Sequence, residues 1–226
     1  MNEKKRPIYS PSLMCADRLN LKRDLDELVA NGVEFLHYDV ADGHSVDAIC
    51  LDPELLKSVR EAYPKAVLDV HVMVEKPERY FELLQSYGAD YLTVSSKEVE
   101  SVSSYEKIRA LGIKPALMIE PDVSVSAIES ILPLVDMVVV MSITPGKKGI
   151  PFDENAYAKI DKLATLRKER GYNYLISVDG GVDERNGKKC VDMGVDVLVV
   201  GYFAFFKKGR SITDSYREFV GYIEKR

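Results

Sequence analysis

Short apolar runs return along the chain at residues 8–14, 35–40, 67–74, 91–94, 115–119, 137–143, 174–178 and 197–200. Most are rich in Val, Ile, Tyr or Phe, side chains that suit a pleated, packed backbone. Their apolar character is nearly continuous, which predicts strands covered on both faces and hence a parallel sheet. Between the runs the pattern switches to a helical period. Leu21, Leu25 and Leu28 share one stripe that stops at Gly32, a helix followed by a glycine suited to the turn after its C-terminus. Segments 53–63, 78–88, 103–112, 125–132, 153–171, 183–194 and 212–224 read as helices in the same way. Eight strand–helix units without a linker or low-complexity break predict an α/β fold, a (β/α)8 TIM barrel. Residues 1–226 are expected to form that single domain, with 1–7 a flexible N-terminal extension. An open doubly wound sheet fits eight such units less well, and no G-x-G-x-x-G follows the first strand.

Composition narrows the function. Hydrophobic residues make up 46% and charged residues 30% of 226, ordinary for a chain with a sizeable core. A net charge of −5 argues against a nucleic-acid or anionic-membrane partner. No run approaches the roughly 20 apolar residues of a membrane span, and the basic N-terminus lacks the apolar core of a signal peptide. Cys15, Cys50 and Cys190 are scattered and odd in number, which suits a reducing compartment and offers no thiolate metal site. The expected location is the cytoplasm.

In such barrels chemistry sits at the carboxyl ends of the strands. Those ends read His37-Tyr-Asp39-Val-Ala-Asp42-Gly-His44, Asp69-Val-His71-Val-Met73, Met141-Ser-Ile-Thr-Pro-Gly146, Val178-Asp179-Gly180-Gly181 and Val200-Gly201-Tyr202. All three histidines lie on or just past strands two and three. Two-residue periodicity turns His37 and Asp39 to one side, His71 is on the next strand, and Asp179 can reach across the mouth. A lone barrel histidine is usually a satisfied core residue, and one Asp at a strand end is usually a cap. Four such residues converging on one mouth favour a site. Two imidazoles and two carboxylates suit one borderline divalent cation, Zn²⁺, Fe²⁺ or Mn²⁺. Gly146, Gly149, Gly180, Gly181 and Gly201 follow three consecutive strands, where backbone N–H groups often meet a phosphate. Lys147 and Lys148 add positive charge nearby.

The combination SPSLMCAD at 10–17, HYDVADGH at 37–44, DVHVMVEKPERY at 69–80, GADYLTV at 88–94, MSITPG at 141–146 and VDGGV at 178–182 resembles the ribulose-phosphate 3-epimerase family. The opening Pro-Ser-Leu-Met-Cys is similar to its allulose 6-phosphate 3-epimerase branch. The resemblance implies a (β/α)8 barrel that epimerises carbon 3 of a ketose phosphate. It implies that His37, Asp39, His71 and Asp179 bind one metal ion per chain, and that Asp39 and Asp179 are the acid/base pair. By the same resemblance Ser12 and His71 touch the substrate, Met73 and Met141 line the pocket, and Gly146, Gly149, Gly180, Gly181, Gly201 and Tyr202 surround the phosphate. A homo-oligomer is expected, with a phosphorylated ketose as the small-molecule partner.

The wall around this core departs from the family pattern. Ala41 replaces a methionine, and Ser45-Val46-Asp47-Ala48 replaces Phe-Val-Pro-Asn. Ser95 and Lys97 stand for a His and a Glu, and Glu120-Pro121 for Asn-Pro. Lys147-Lys148-Gly149 replaces Phe-Gly-Gly, and Tyr202 a Ser or Thr. A changed wall around the same chemistry suggests a changed substrate. Three other readings are weaker. The hexulose-phosphate synthase and orotidine-phosphate decarboxylase group needs Asp-x-Lys-x-x-Asp, where Asp39-Val-Ala41 has no lysine. A catalytically retired sugar-phosphate-binding barrel conflicts with the complete ligand set. Repeats, charged tails or aromatic stripes that would mark an interaction protein are missing.

Overall fold

The computed structural model describes residues 6–225. Eight strands run β1 Ile8–Pro11, β2 Phe35–Ala41, β3 Val67–Met73, β4 Tyr91–Ser95, β5 Lys114–Ile119, β6 Met137–Met141, β7 Leu175–Asp179 and β8 Val197–Val200. The sheet order is β1-β8-β7-β6-β5-β4-β3-β2, all parallel. A parallel bridge between Ser12 and His37 joins its two edges, closing the (β/α)8 barrel.

Alternation along each strand explains the unbroken apolar runs. Phe35, Tyr91, Ala116, Met118, Met137, Val139, Met141 and Val197 pack inside the barrel. Their neighbours, among them Leu36, Leu92, Leu117, Val138, Ile176 and Leu198, pack outward in the larger shell beneath the helices. Both faces are buried, so both are apolar, as a parallel sheet requires.

The helices are α1 Leu21–Ala30, α2 Pro53–Ala62, α3 Phe81–Ser86, α4 Ser103–Ala110, α5 Ala156–Arg170, α6 Glu184–Asp192 and α7 Ile212–Ile223. Asp52 caps α2 by accepting from the Glu54 N–H, with Pro53 in the first turn. Asp183 and Asn186 form a reciprocal capping box at α6. The helix expected over 125–132 is absent among the described residues. Two 3-10 turns, Val125–Ile128 and Leu132–Leu134, stand there instead. Pro133 has no N–H to donate to the carbonyl four residues back, and its ring crowds that turn. The segment expected as one helix over 78–88 opens with a 3-10 turn, Pro77–Tyr80, before α3. The first strand stops at Pro11 because Leu13–Cys15 turns into another.

Of the expected N-terminal extension, residues 1–5 lie outside the described residues. Arg6 donates to Glu224 at 2.5 Å, and Pro7 is buried.

Candidate active site

Register places the chemistry. On β2 and β3, His37 lies opposite Asp69, Asp39 opposite His71, and Ala41 opposite Met73. Across the barrel, Met141 of β6 lies opposite Asp179 at the end of β7. His37, Asp39, His71 and Asp179 therefore converge, each offering one ligand atom, all within 4.8 Å of one another. His37 Nε2 is 3.3 Å from Asp39 Oδ1 and 3.6 Å from Asp179 Oδ2. His71 Nδ1 is 3.4 Å and 3.9 Å from the same two oxygens. His44 does not join them. It is exposed, and its N–H donates to Asp42 in a turn.

Three contacts prepare the two imidazoles and one carboxylate. His37 Nδ1 meets Asp69 Oδ2 at 2.8 Å, and Thr93 Oγ1 donates to the other Asp69 oxygen at 3.1 Å. This pairing puts the ring proton on Nδ1 and leaves Nε2 a bare lone pair. His71 Nε2 lies 2.9 Å from Met118 Sδ; the thioether only accepts, so the proton sits there and Nδ1 is bare. Ser12 Oγ donates to Asp39 Oδ2 at 2.7 Å, turning Oδ1 to the histidines. His37 Nε2 and His71 Nδ1 are both buried without a hydrogen-bond partner. Two orphaned lone pairs beside two carboxylates are costly in a dry interior and fit a shared divalent cation.

The electrostatics separate the carboxylates. Burial works against the Asp39 anion, but His37 and His71 outweigh it and hold its pKa far below the ordinary carboxylate value. Burial raises Asp179, the histidines oppose this, and neighbouring Asp39 and Asp69 add to the rise. Burial disfavours charge on His37, yet Asp39 and Asp69 hold its pKa well above the usual imidazole value; without a cation Nε2 therefore competes for a second proton, whose place a bound cation would take.

Beside Asp179 opens a cavity bordered by Lys147, Lys148, Gly149, Gly180, Gly181, Gly201 and Tyr202, with Cys15 in its wall. Gly180 and Gly181 have φ of 108° and 60°. A Cβ on Gly181 would stand 2.3 Å from the Phe152 nitrogen, so only glycine fits. The Val-Asp-Gly-Gly stretch is thus both a strand end carrying Asp179 and a tight turn that opens backbone to the cavity. Gly146 is the exception among the expected glycines. It does not line this cavity but packs against Val46 and Ala48. Lys147 pairs with Asp47 at 3.0 Å. Met141 lies among the barrel-interior side chains, and Met73 packs with Met14, Ala41 and Cys50.

Sequence reasoning assigned no role to Asp69, Thr93 or Met118. For Asp69 a signal existed, since it precedes His71 by two on the inward face of β3. Met118 has none, because only the sheet register brings β5 against His71.

A family model described as the ribulose-phosphate 3 epimerase family matches residues 8–206. The chain belongs to the ribulose-phosphate 3-epimerase family. It is 38% identical over 198 residues to the ribulose-phosphate 3-epimerase of Treponema pallidum, covering 87% of this chain and 90% of that one. To the Bacillus subtilis ribulose-phosphate 3-epimerase it is 30% identical over 203 residues, covering 89% and 93%. To the chloroplastic ribulose-5-phosphate-3-epimerase of Arabidopsis thaliana it is 33% identical over 204 residues, covering 89% and 72%. Membership makes the chain an isomerase of the epimerase class acting on sugar phosphates. Among solved structures, 3-hexulose-6-phosphate synthase from Salmonella typhimurium superposes with a TM-score of 0.68 at 19% identity, covering 96% of this chain and 98% of that one; this likeness shows the barrel alone. No helix among the described residues is long and apolar enough to cross a membrane.

Proposed function

We propose that the chain interconverts the two carbon-3 epimers of a ketose phosphate, ribulose and xylulose 5-phosphate or a close analogue such as allulose and fructose 6-phosphate. One observation carries the reading: the carboxylates of Asp39 and Asp179 face each other across the bare nitrogens of His37 and His71. Inversion beside a ketone breaks the C3–H bond on one face and forms a new one on the other. Two carboxylates on opposite sides of the carbon can do this, one accepting the proton and the other donating. Ser12 holds Asp39 in one orientation by donating to its Oδ2. His37, Asp39, His71 and Asp179 would hold a divalent cation, which when bound would supply electrostatic stabilisation of developing negative charge. The cation is taken as one per chain, Zn²⁺, Fe²⁺ or Mn²⁺, from the mixed nitrogen and oxygen donors.

The phosphate belongs in the neighbouring cavity, against backbone N–H groups at Gly180–Gly181 and Gly201–Tyr202 and the charge of Lys148. Binding there anchors the substrate without taking part in proton transfer, so it acts on affinity.

The experiment is incubation of the purified protein in D₂O with ketotetrose, ketopentose and ketohexose phosphates and their free sugars. Deuterium should enter at carbon 3 of a phosphorylated ketose, with both epimers formed. Absence of exchange at carbon 3 from every member of the panel refutes the reading.

A further inference from the structure

The sector of the mouth built by β4 and β5 carries a group that the proton-transfer machinery does not use. Tyr91 and Thr93 are inward-facing on β4, and Ala116 and Met118 on β5; the next inward positions are Ser95 and Glu120. Both are buried, Glu120 being only 9% exposed. Ser95 Oγ donates to Glu120 Oε1 and accepts the Lys97 N–H at 3.0 Å. Glu120 Oε2 is buried with no hydrogen-bond partner.

The nearby cations are committed elsewhere. Lys97 Nζ lies on Asp122 at 2.8 and 3.0 Å. Lys159 Nζ donates to the backbone carbonyls of Glu120 and Pro121. A buried carboxylate oxygen without a donor is expensive, and no group among the described residues donates to this one.

Position says which molecule brings a donor. The cavity beside Asp179 is built by the loops after β6, β7 and β8, and the cation cluster by β2, β3 and β7. Around the ring, β4 and β5 lie opposite β8 and β1. Met118, two residues before Glu120, touches His71, so Glu120 stands one inward step, about 6.6 Å, above a neighbour of the cluster. A substrate anchored by its phosphate, with its reacting carbon between Asp39 and Asp179, points its other end at Ser95 and Glu120. An ionised carboxylate only accepts. It suits a hydroxyl at that end and rejects a carboxylate or a second phosphate.

We propose that Glu120, braced by Ser95, is a specificity-determining acceptor for the C1 hydroxyl of the ketose phosphate. This rests on the epimerase reading above and adds the residue that selects the end of the substrate remote from phosphate.

The test compares a ketopentose 5-phosphate with its 1-deoxy analogue, in the wild type, Glu120→Ala and Glu120→Gln, all checked for equal cation content. Turnover is followed by proton NMR and binding by calorimetry. Wild type should prefer the hydroxyl-bearing compound by about tenfold or more, chiefly through KM and Kd. Glu120→Ala should bring the two substrates within about threefold, while Glu120→Gln, which keeps an acceptor oxygen and the shape, retains most of the preference. An unchanged ratio in Glu120→Ala, or equal losses on both substrates in both variants, overturns the proposal. A wild type that turns over neither compound excludes the ketopentose as substrate, and the comparison then moves to whichever ketose phosphate exchanges at carbon 3; if none exchanges, the epimerase reading fails and the ratio of binding constants still decides the role of Glu120.

Discussion

Asp69 faces away from the bare His37 nitrogen, yet the tautomer of that ring depends on it. In Asp69→Asn the amide can donate to His37 Nδ1 and push the ring proton onto Nε2, where the cation would bind. We expect cation affinity to fall 10–100-fold with the fold intact; chelator competition measures it, and an unchanged affinity contradicts the role. Cys15 reports on the neighbouring cavity. Burial pushes its thiol up to about 12, and the Asp39 and Asp179 carboxylates add to the shift. Since the thiolate is the nucleophile, alkylation of folded protein at pH 8 should run about 10³-fold slower than in the unfolded chain and slow further with inorganic phosphate. The folded state holds this proton more tightly, so the stability it contributes is present below pH 9 and is lost as pH rises towards 12. Fast labelling at pH 8 without phosphate protection would contradict the assignment. At this scale the sequence was legible where chemistry is concentrated. His37, Asp39, His71 and Asp179 lie on strands whose carboxyl ends share one mouth, and their convergence, not any one of them, marks a site. Met118 and the Ser95–Glu120 pair were illegible as partners, because contacts across a sheet depend on stagger that no local pattern encodes.

The elements are tied together at the opposite end of the barrel. Arg60 of α2 donates to the carbonyls of Ala66 and Gly88 and to Asp90, which also accepts the Leu68 N–H. Half a turn around the ring, Arg167 of α5 does the same with the carbonyls of Tyr174 and Gly194 and with Asp196, which accepts the Ile176 N–H. Each arginine thus locks a helix to the starts of two strands, far from the catalytic end. Arg167→Ala should lower stability by about 2 kcal/mol, the scale of lost hydrogen bonds to a charged group, with kcat and cation content unchanged. Urea unfolding beside an activity assay checks this; a large loss of kcat in folded protein would contradict the division between the two ends. Strand positions were legible because burial on both faces leaves an unbroken apolar run. Helix ends were legible where a stripe met glycine, as at Gly171, which takes φ 66° after α5. Segment 125–132 misled because its apolar spacing is helical while the Pro133 ring crowds the carbonyl of Glu129, and 3-10 turns stand there instead.

For the whole molecule, barrel closure is what makes the site. The Ser12–His37 bridge joins the sheet edges and brings the Ser12 hydroxyl onto Asp39, while Asp179 arrives from the far side of the ring. No open sheet places β2, β3 and β7 around one point, so fold and chemistry stand together. The most direct test of the two-carboxylate account is Asp179→Asn, with cation content equalised to wild type and both epimers of the ketose phosphate supplied separately in D₂O. Inversion should fall about 10²–10⁴-fold, with deuterium entering carbon 3 from no more than one epimer and without inversion. Near-wild-type epimerisation in a fully metallated Asp179→Asn would contradict the account and leave Val-Asp-Gly-Gly as only a turn.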